Sequence, residues 1–364
     1  MENPLKYFAE LRDPRVERTR EHLLEEILLI TIAAVLSGAD SWNEIEGYGR
    51  AKREWLGSFL SLPGGIPSQD TFNRVFSLLD PVEVEKCFFA WVSSIARLTA
   101  GEVVAIDGKS LRGTRENGKK TLLHMVSAWA NSNNLVLGQQ RVDEKSNEIT
   151  AIPKLLSVLE LSGTVVTIDA MGCQRSIARQ IVAKNADYIL AVKENQPHLL
   201  EDIRDSFQML TPETVVEEVD CGHGRVEIRT CSTLGDLSLV DQAADWPQLT
   251  TLVRIEAERY HKASGKTERE TRYYISSLEP EAGPINVDIR QHWGIENKLR
   301  WVLDVAFGED GSRKRAGHAA QNFSVITRIA LNLLKQNKTS KLGTKGKRLK
   351  AGWDNDYLLS LLGI

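Results

Sequence analysis

Glu102-Val-Val-Ala-Ile-Asp107 and Thr164-Val-Val-Thr-Ile-Asp169 share one pattern: a short run rich in β-branched residues that ends in an acid. Such runs fit buried strands of a sheet covered on both faces, where strict alternation with polar residues is not expected. The closing aspartate puts a charge where a core residue would otherwise sit, which is costly without a partner. Residues 122–130 and 135–142 read as two further strands, joined by the turn sequence Asn131-Ser132-Asn133-Asn134. Helical stretches follow at 149–161, 175–185 and 198–207, with a strand at 186–192. Three strands in hairpin order, then alternating helix and strand, predict an α/β fold with a mixed sheet flanked by helices.

Outward from this centre the character changes on both sides. Residues 1–98 read as an N-terminal helical domain. The apolar run 23–36 fits a buried helix, and Ser68 is placed to cap a helix through Phe72, Val75, Phe76 and Leu79 that stops before Pro81. Helix, turn and second helix fit either a DNA-reading helix-turn-helix or an ordinary bundle. The core resumes over 99–212. Residues 213–280 are strand-rich, with runs at 215–219, 225–234, 250–258 and 271–277. Over 281–337 two helices are expected. One spans 285–306 with Ile295, Leu299, Val302 and Ala306 as its stripe; the other spans 316–335 and buries Phe323, Ile326, Ile329 and Leu333. Residues 338–364 form a tail whose segment 338–350 holds six basic residues and no acidic one.

With 364 residues, 42% of them hydrophobic, the chain can bury more than one structural unit. Cys87, Cys173, Cys221 and Cys231 are scattered, which excludes a disulfide framework or a paired-cysteine zinc site and fits a reducing cytoplasm. The run 23–36 is too short to span a bilayer, and the start lacks the pattern of a signal peptide, so no membrane role is expected. A net charge of -3 does not by itself suggest a nucleic-acid partner, but local positive charge can hold DNA whatever the average.

Each acid has a plain reading. Asp107 precedes Gly108 and fits a turn; Asp169 could cap the next helix; His292, Glu296 and Arg300, four apart, could be a solvated ladder on one helix face. Together they fit another chemistry. Two divalent ions roughly 4 Å apart can activate the attacking oxygen and stabilise the leaving oxygen of a phosphodiester, and Mg2+ prefers a few carboxylates plus water.

The strings Ala105-Ile-Asp107-Gly-Lys-Ser-Leu-Arg112-Gly, Thr167-Ile-Asp169-Ala-Met-Gly-Cys-Gln174 and His292-Trp-Gly-Ile-Glu296-Asn stand in the order found in DDE transposases of bacterial insertion sequences. More narrowly, they resemble the H-repeat-associated group. Asp143-Glu-Lys-Ser-Asn-Glu148-Ile, His223-Gly-Arg225-Val-Glu-Ile-Arg229 and Leu303-Asp-Val-Ala-Phe-Gly-Glu-Asp310 extend the likeness over most of the chain. The resemblance implies an RNase H-like core in which Asp107, Asp169 and Glu296 are the catalytic acids and hold Mg2+ or Mn2+, two ions in all. It also implies that 213–280 is an insertion before the catalytic Glu helix. The substrate would be double-stranded DNA, as element ends and as target, and a homodimer would bring two ends together. One departure stands out. Related transposases place Tyr, Arg and Lys seven before, four before and seven after the Glu, where this chain has Ile289, His292 and Leu303.

Phosphate contacts must then come from other residues, since basic side chains supply most affinity for DNA. Candidates are Lys109 and Arg112 beside the first Asp, His223 and Arg225 in a Gly-punctuated segment, His292, Lys298 and Arg300 around the Glu, and Lys345, Lys347 and Arg348 in the tail. Trp246 is the candidate for stacking on an unpaired base, with most other tryptophans in the core. Two further readings remain: a two-metal nuclease without strand transfer, and a catalytically idle DNA-binding relative, which the three intact carboxylates argue against.

Overall fold

The computed structural model describes residues 2–112, 122–143, 147–222 and 224–364. Five helices come first: α1 (Leu24–Leu36), α2 (Trp42–Ala51), α3 (Arg53–Leu56), α4 (Gln69–Leu78) and α5 (Pro81–Ile95). The run expected as a buried helix is α1, which is buried from Glu26 to Leu36. Its buried acid has a purpose, because the Glu26 carboxylate accepts the backbone N–H groups of Ser61 and Leu62 at 2.9 and 3.0 Å and so fixes the turn that faces it. Ser68 caps α4 as expected, and α4 turns Phe72, Val75 and Phe76 inward.

Next come β1 (Val103–Leu111), β2 (Leu123–Ala130), β3 (Leu135–Arg141), α6 (Glu148–Val158), β4 (Val165–Ile168), α7 (Arg175–Ala183), β5 (Asp187–Val192) and α8 (Pro197–Met209). Four strands follow: β6 (Thr214–Gly222), β7 (Arg225–Leu234), β8 (Thr251–His261) and β9 (Lys266–Ser276). All nine belong to one sheet, in the order β3-β2-β1-β4-β5-β9-β8-β7-β6. β1, β4 and β5 are parallel; β2 and β3 run antiparallel as a meander. The strand-rich stretch therefore continues the sheet, β9 pairing antiparallel with β5. Glu102 secures the β2–β3 turn by accepting the N–H groups of Ser132 and Asn133, each at 3.0 Å.

The chain closes with α9 (Ala282–His292), α10 (Trp301–Phe307), α11 (Ala319–Gln336), α12 (Thr344–Trp353) and α13 (Asn355–Leu362). The long helix expected at 285–306 is interrupted: a π-helical turn over Ile295–Arg300 separates α9 from α10. α11 joins the helical half to the sheet through buried polar groups. Asn332 pairs with both backbone groups of Val136 on edge strand β3, at 2.9 and 3.0 Å, while Asn322 donates to the carbonyls of Phe76 and Leu79. Each bond satisfies a group that would be costly to bury alone.

The basic tail is corrected by the structure. Its residues fold as α12 and α13 against α1 and α11, and Lys347 and Arg348 are buried. Arg348 donates to the carbonyls of Val35, Ala39 and Ala306 and to the Asp40 carboxylate; Lys347 donates to those of Leu334 and Asn337. Their donors are turned inward to carbonyls, away from any phosphate.

Candidate active site

β1 and β4 lie side by side in parallel with Ile106 opposite Ile168, so the residues that follow, Asp107 and Asp169, emerge as neighbours. β1 does not end at its acid but runs on to Leu111, paired with β2. Asp169 caps a single 3-10 turn, its Oδ1 accepting the Met171 N–H at 3.1 Å, whereas the next helix, α7, starts after Gln174. Glu296 comes from the π-helical turn. All three acids line one cleft of about 450 Å3, with His292, Arg300 and Lys193 also on its wall. A π turn widens the helix locally and is a frequent feature of functional sites.

Burial raises the Asp107 carboxyl to about 6; Arg300 opposes the rise and Asp169 adds to it. Asp169 is also raised, first by burial and then by the charge of Glu148. The Arg300 guanidinium makes an ion pair with Asp107 and donates to the Gly108 carbonyl. His292 Nδ1 lies 2.9 Å from Thr167 Oγ1, and burial together with the charge of Arg300 lowers the imidazole to about 4. It is uncharged at neutral pH and can offer a phosphate only a hydrogen bond. Carboxylates are hard oxygen donors, so this set fits a divalent ion in its chemistry. Among the described residues no three acidic, cysteine or imidazole side chains converge closely enough to hold one as they stand.

The other candidates are scattered. Lys109 is committed elsewhere: its ammonium contacts Asp304, lies 3.1 Å from Glu309 and 3.6 Å from Asp310, and does not line the cleft. Burial would raise Glu309, but Arg328 and Lys109 outweigh it and hold the carboxyl below its usual range. The lysine thus ties β1 to the segment after α10. Arg112 is exposed, 3.7 Å from Asp310; Arg225 is exposed beside Glu227; His223 lies outside the described residues. Lys298 donates to Asn131 at 3.1 Å in an open groove of about 700 Å3 that shares Trp293 with the acid-lined cleft. Lys345 is exposed on α12.

Trp246 is also corrected: it is 3% exposed and cannot stack on a base, whereas Trp301 is 61% exposed. Trp293 stands at the cleft with the Arg272 guanidinium 5.0 Å from its ring. Sequence reasoning missed Arg272 and Lys193 on the cleft wall. Lys193 follows directly on β5, the strand beside β4, and the strand-end logic used for the two aspartates would have found it. Glu148 stood in a quoted string without a role.

A mixed sheet thus brings Asp107 within β1, Asp169 just after β4 and Glu296 on the π-helical turn to the wall of one cleft. Residues 99–333 match the family described as Transposase DDE domain, and residues 5–92 match its DDE_Tnp_1-associated family. The chain belongs to the DDE transposases. Within them it groups with the H repeat-associated proteins. It is 41% identical over 366 residues to "Putative transposase YncI" of Escherichia coli O157:H7, covering 98% of this chain and 94% of that protein. It is 39% identical over 368 residues to "H repeat-associated putative transposase YhhI" of Escherichia coli (strain K12), covering 98% and 97%. "Uncharacterized protein in dhlA 3'region" of Xanthobacter autotrophicus is 42% identical over 282 residues, 76% of this chain and 94% of that protein. Among the described residues no helix is long and apolar enough to cross a membrane.

Proposed function

We propose that the chain binds the ends of a mobile element in double-stranded DNA, cleaves phosphodiester bonds there and joins the freed 3′ hydroxyl to target DNA. The observation that carries this reading is the juxtaposition of Asp107 and Asp169 on in-register parallel strands, in one cleft with Glu296. The strand order β3-β2-β1-β4-β5, with β1, β4 and β5 parallel, supports an RNase H-like core, and β6–β9 then extend it as an insertion before the Glu helix. The work would take place in the cytoplasm, where the DNA is, with two copies of the chain bringing two ends together.

In this reading Asp107, Asp169 and Glu296 hold Mg2+ or Mn2+, two ions in all. Bound there, such ions would activate the attacking oxygen and stabilise the leaving one. The chain's own residues do the rest. Arg300 neutralises Asp107 until an ion takes its place, and then has a free guanidinium for a phosphate in the same cleft. Neutral His292, fixed by Thr167, can orient a phosphate or water without adding charge. Lys298 and Arg290, in the groove that continues past Trp293, can contact the backbone of the bound duplex.

A plasmid carrying the reading frame with its genomic flanks tests the reading. Purified protein and Mg2+ should cut at inverted repeats in those flanks, and chelation should stop it. Intact flanks with the protein demonstrably bound would refute the reading.

A further inference from the structure

Glu148 opens α6, and its carboxylate lies directly over Gly108, the residue after Asp107. A Cβ on Gly108 would stand 2.0 Å from Glu148 Oε1 and 2.6 Å from His124 Nε2, so only glycine admits the carboxylate at that height on β1. The side chain is held as well as admitted. Glu148 Oε1 lies 2.6 Å from His124 Nε2, and His124 Nδ1 lies 2.8 Å from Ser110 Oγ. Ser110 and His124 are cross-strand partners in the β1–β2 pair, so the chain is anchored in the strand that carries Asp107.

An acid needed only to favour a helix start would do so solvated and unconstrained. Glu148 is instead 13% exposed at its side chain and stands over the residue that follows Asp107. Gathering like charges is unfavourable, and Arg300 pairs with Asp107 alone. A divalent cation would neutralise the surplus, with the carboxylate bound to it oriented by a hydrogen-bonded partner.

We propose that Glu148 is a fourth carboxylate of the catalytic centre, facing its metal, and that His124, steadied by Ser110, is its positioning residue. This rests on the reading of Asp107, Asp169 and Glu296 as metal ligands. Of the four elements that would hold the ions, β1 and β4 are neighbours in the sheet, the third is the π-helical turn of Glu296, and the fourth is the first turn of α6.

The test is Mn2+ binding to the full-length protein, followed by loss of the free-ion paramagnetic resonance signal, with thermal melting of each metal-free protein alongside. Wild type should bind and Asp169→Asn should not. Glu148→Gln should weaken binding tenfold or more while melting close to wild type. His124→Asn should weaken it by about tenfold, the usual effect of losing a group that orients a ligand. If Glu148→Gln melts lower, Glu148→Asp replaces it: the charge is kept but withdrawn by one methylene, and weaker binding is again expected. Wild-type affinity in a folded Glu148 variant, with Asp169→Asn inactive in binding, overturns the role of Glu148 and leaves the centre intact. No Mn2+ uptake by wild type, or unchanged uptake by Asp169→Asn, overturns the centre and Glu148 with it.

Discussion

The guanidinium of Arg300 rests on the carboxylate of Asp107 and, through the same Nη2, reaches the carbonyl of Gly108 beside it. A residue from the helix thereby places positive charge on the strand acid that the proposed centre needs for its ion. One cation must leave before another can occupy that carboxylate.

Arg300→Gln should therefore tighten Mn2+ binding in the absence of DNA, by about tenfold, or ~1.4 kcal/mol. Both the lost competitor and the lost repulsion act in this direction. Calorimetric titration of the two proteins decides it. Weaker binding by the variant would show that Arg300 supports the ion site and does not compete with it.

Asp107→Asn, Asp169→Asn and Glu296→Gln should each lower DNA cleavage about a thousandfold or more, since each removes several kcal/mol of transition-state stabilisation. Duplex binding should change by no more than a few-fold, because affinity comes mainly from phosphate contacts. Gel-shift and cleavage assays on the same preparations separate the two effects. Near-normal cutting by Asp169→Asn in Mg2+ would remove it from the site.

The two aspartates were legible because a charge closing a β-branched run has no place in a core. Their juxtaposition required only that the two strands be parallel neighbours. The ion pairs of Lys109 and the burial of Lys347 and Arg348 were not legible for one reason: sequence shows a cation but not its partner. The acids that hold Lys109 lie on and after α10, and the carbonyls that hold Arg348 lie on α10 and both on and after α1. The π turn at Glu296 was hidden because the apolar stripe through Ile295 and Leu299 fits an ordinary helix equally well. Glu148 escaped because its meaning depends on the missing side chain of Gly108.

Arg348→Ala should lower stability by about 3 kcal/mol, since it strands buried carbonyls and the Asp40 carboxylate. Lys345→Ala should leave the melting temperature within error but lower the slope of log DNA affinity on log salt by about one. An unchanged slope would make Lys345 a solvated surface charge. Truncation after Asn337 should unfold the protein, because it removes the buried Lys347 and Arg348 together.

Glu85 is buried beneath α11, where Gln321 donates to it at 3.0 Å; burial raises its carboxyl from 4.5 to about 7 against the pull of Gln321 and Arg141. The folded state thus binds this proton more tightly than the unfolded chain does. That contribution to stability is full below pH 4.5 and is lost as pH rises through 7. Glu85→Gln keeps the accepting oxygen and should gain up to ~3 kcal/mol relative to wild type at pH 8, and almost nothing at pH 4. Equal gains at both pH values would show that ionisation of Glu85 is not the cause.

A joining reaction separates a cleft that only cuts DNA from one that both cuts and joins it. A nuclease need deliver only water to phosphorus, whereas a transposase must also present a DNA 3′ hydroxyl at the same metal site. Pre-cut element ends, supercoiled plasmid, Mg2+ and purified protein are incubated together, and the plasmid is probed for covalently attached end sequence. Joined products are expected from the wild-type protein and none from Asp169→Asn. Nicked or linear plasmid without joined ends, while the ends are shown to be bound, would contradict the transposase reading and leave a two-metal nuclease.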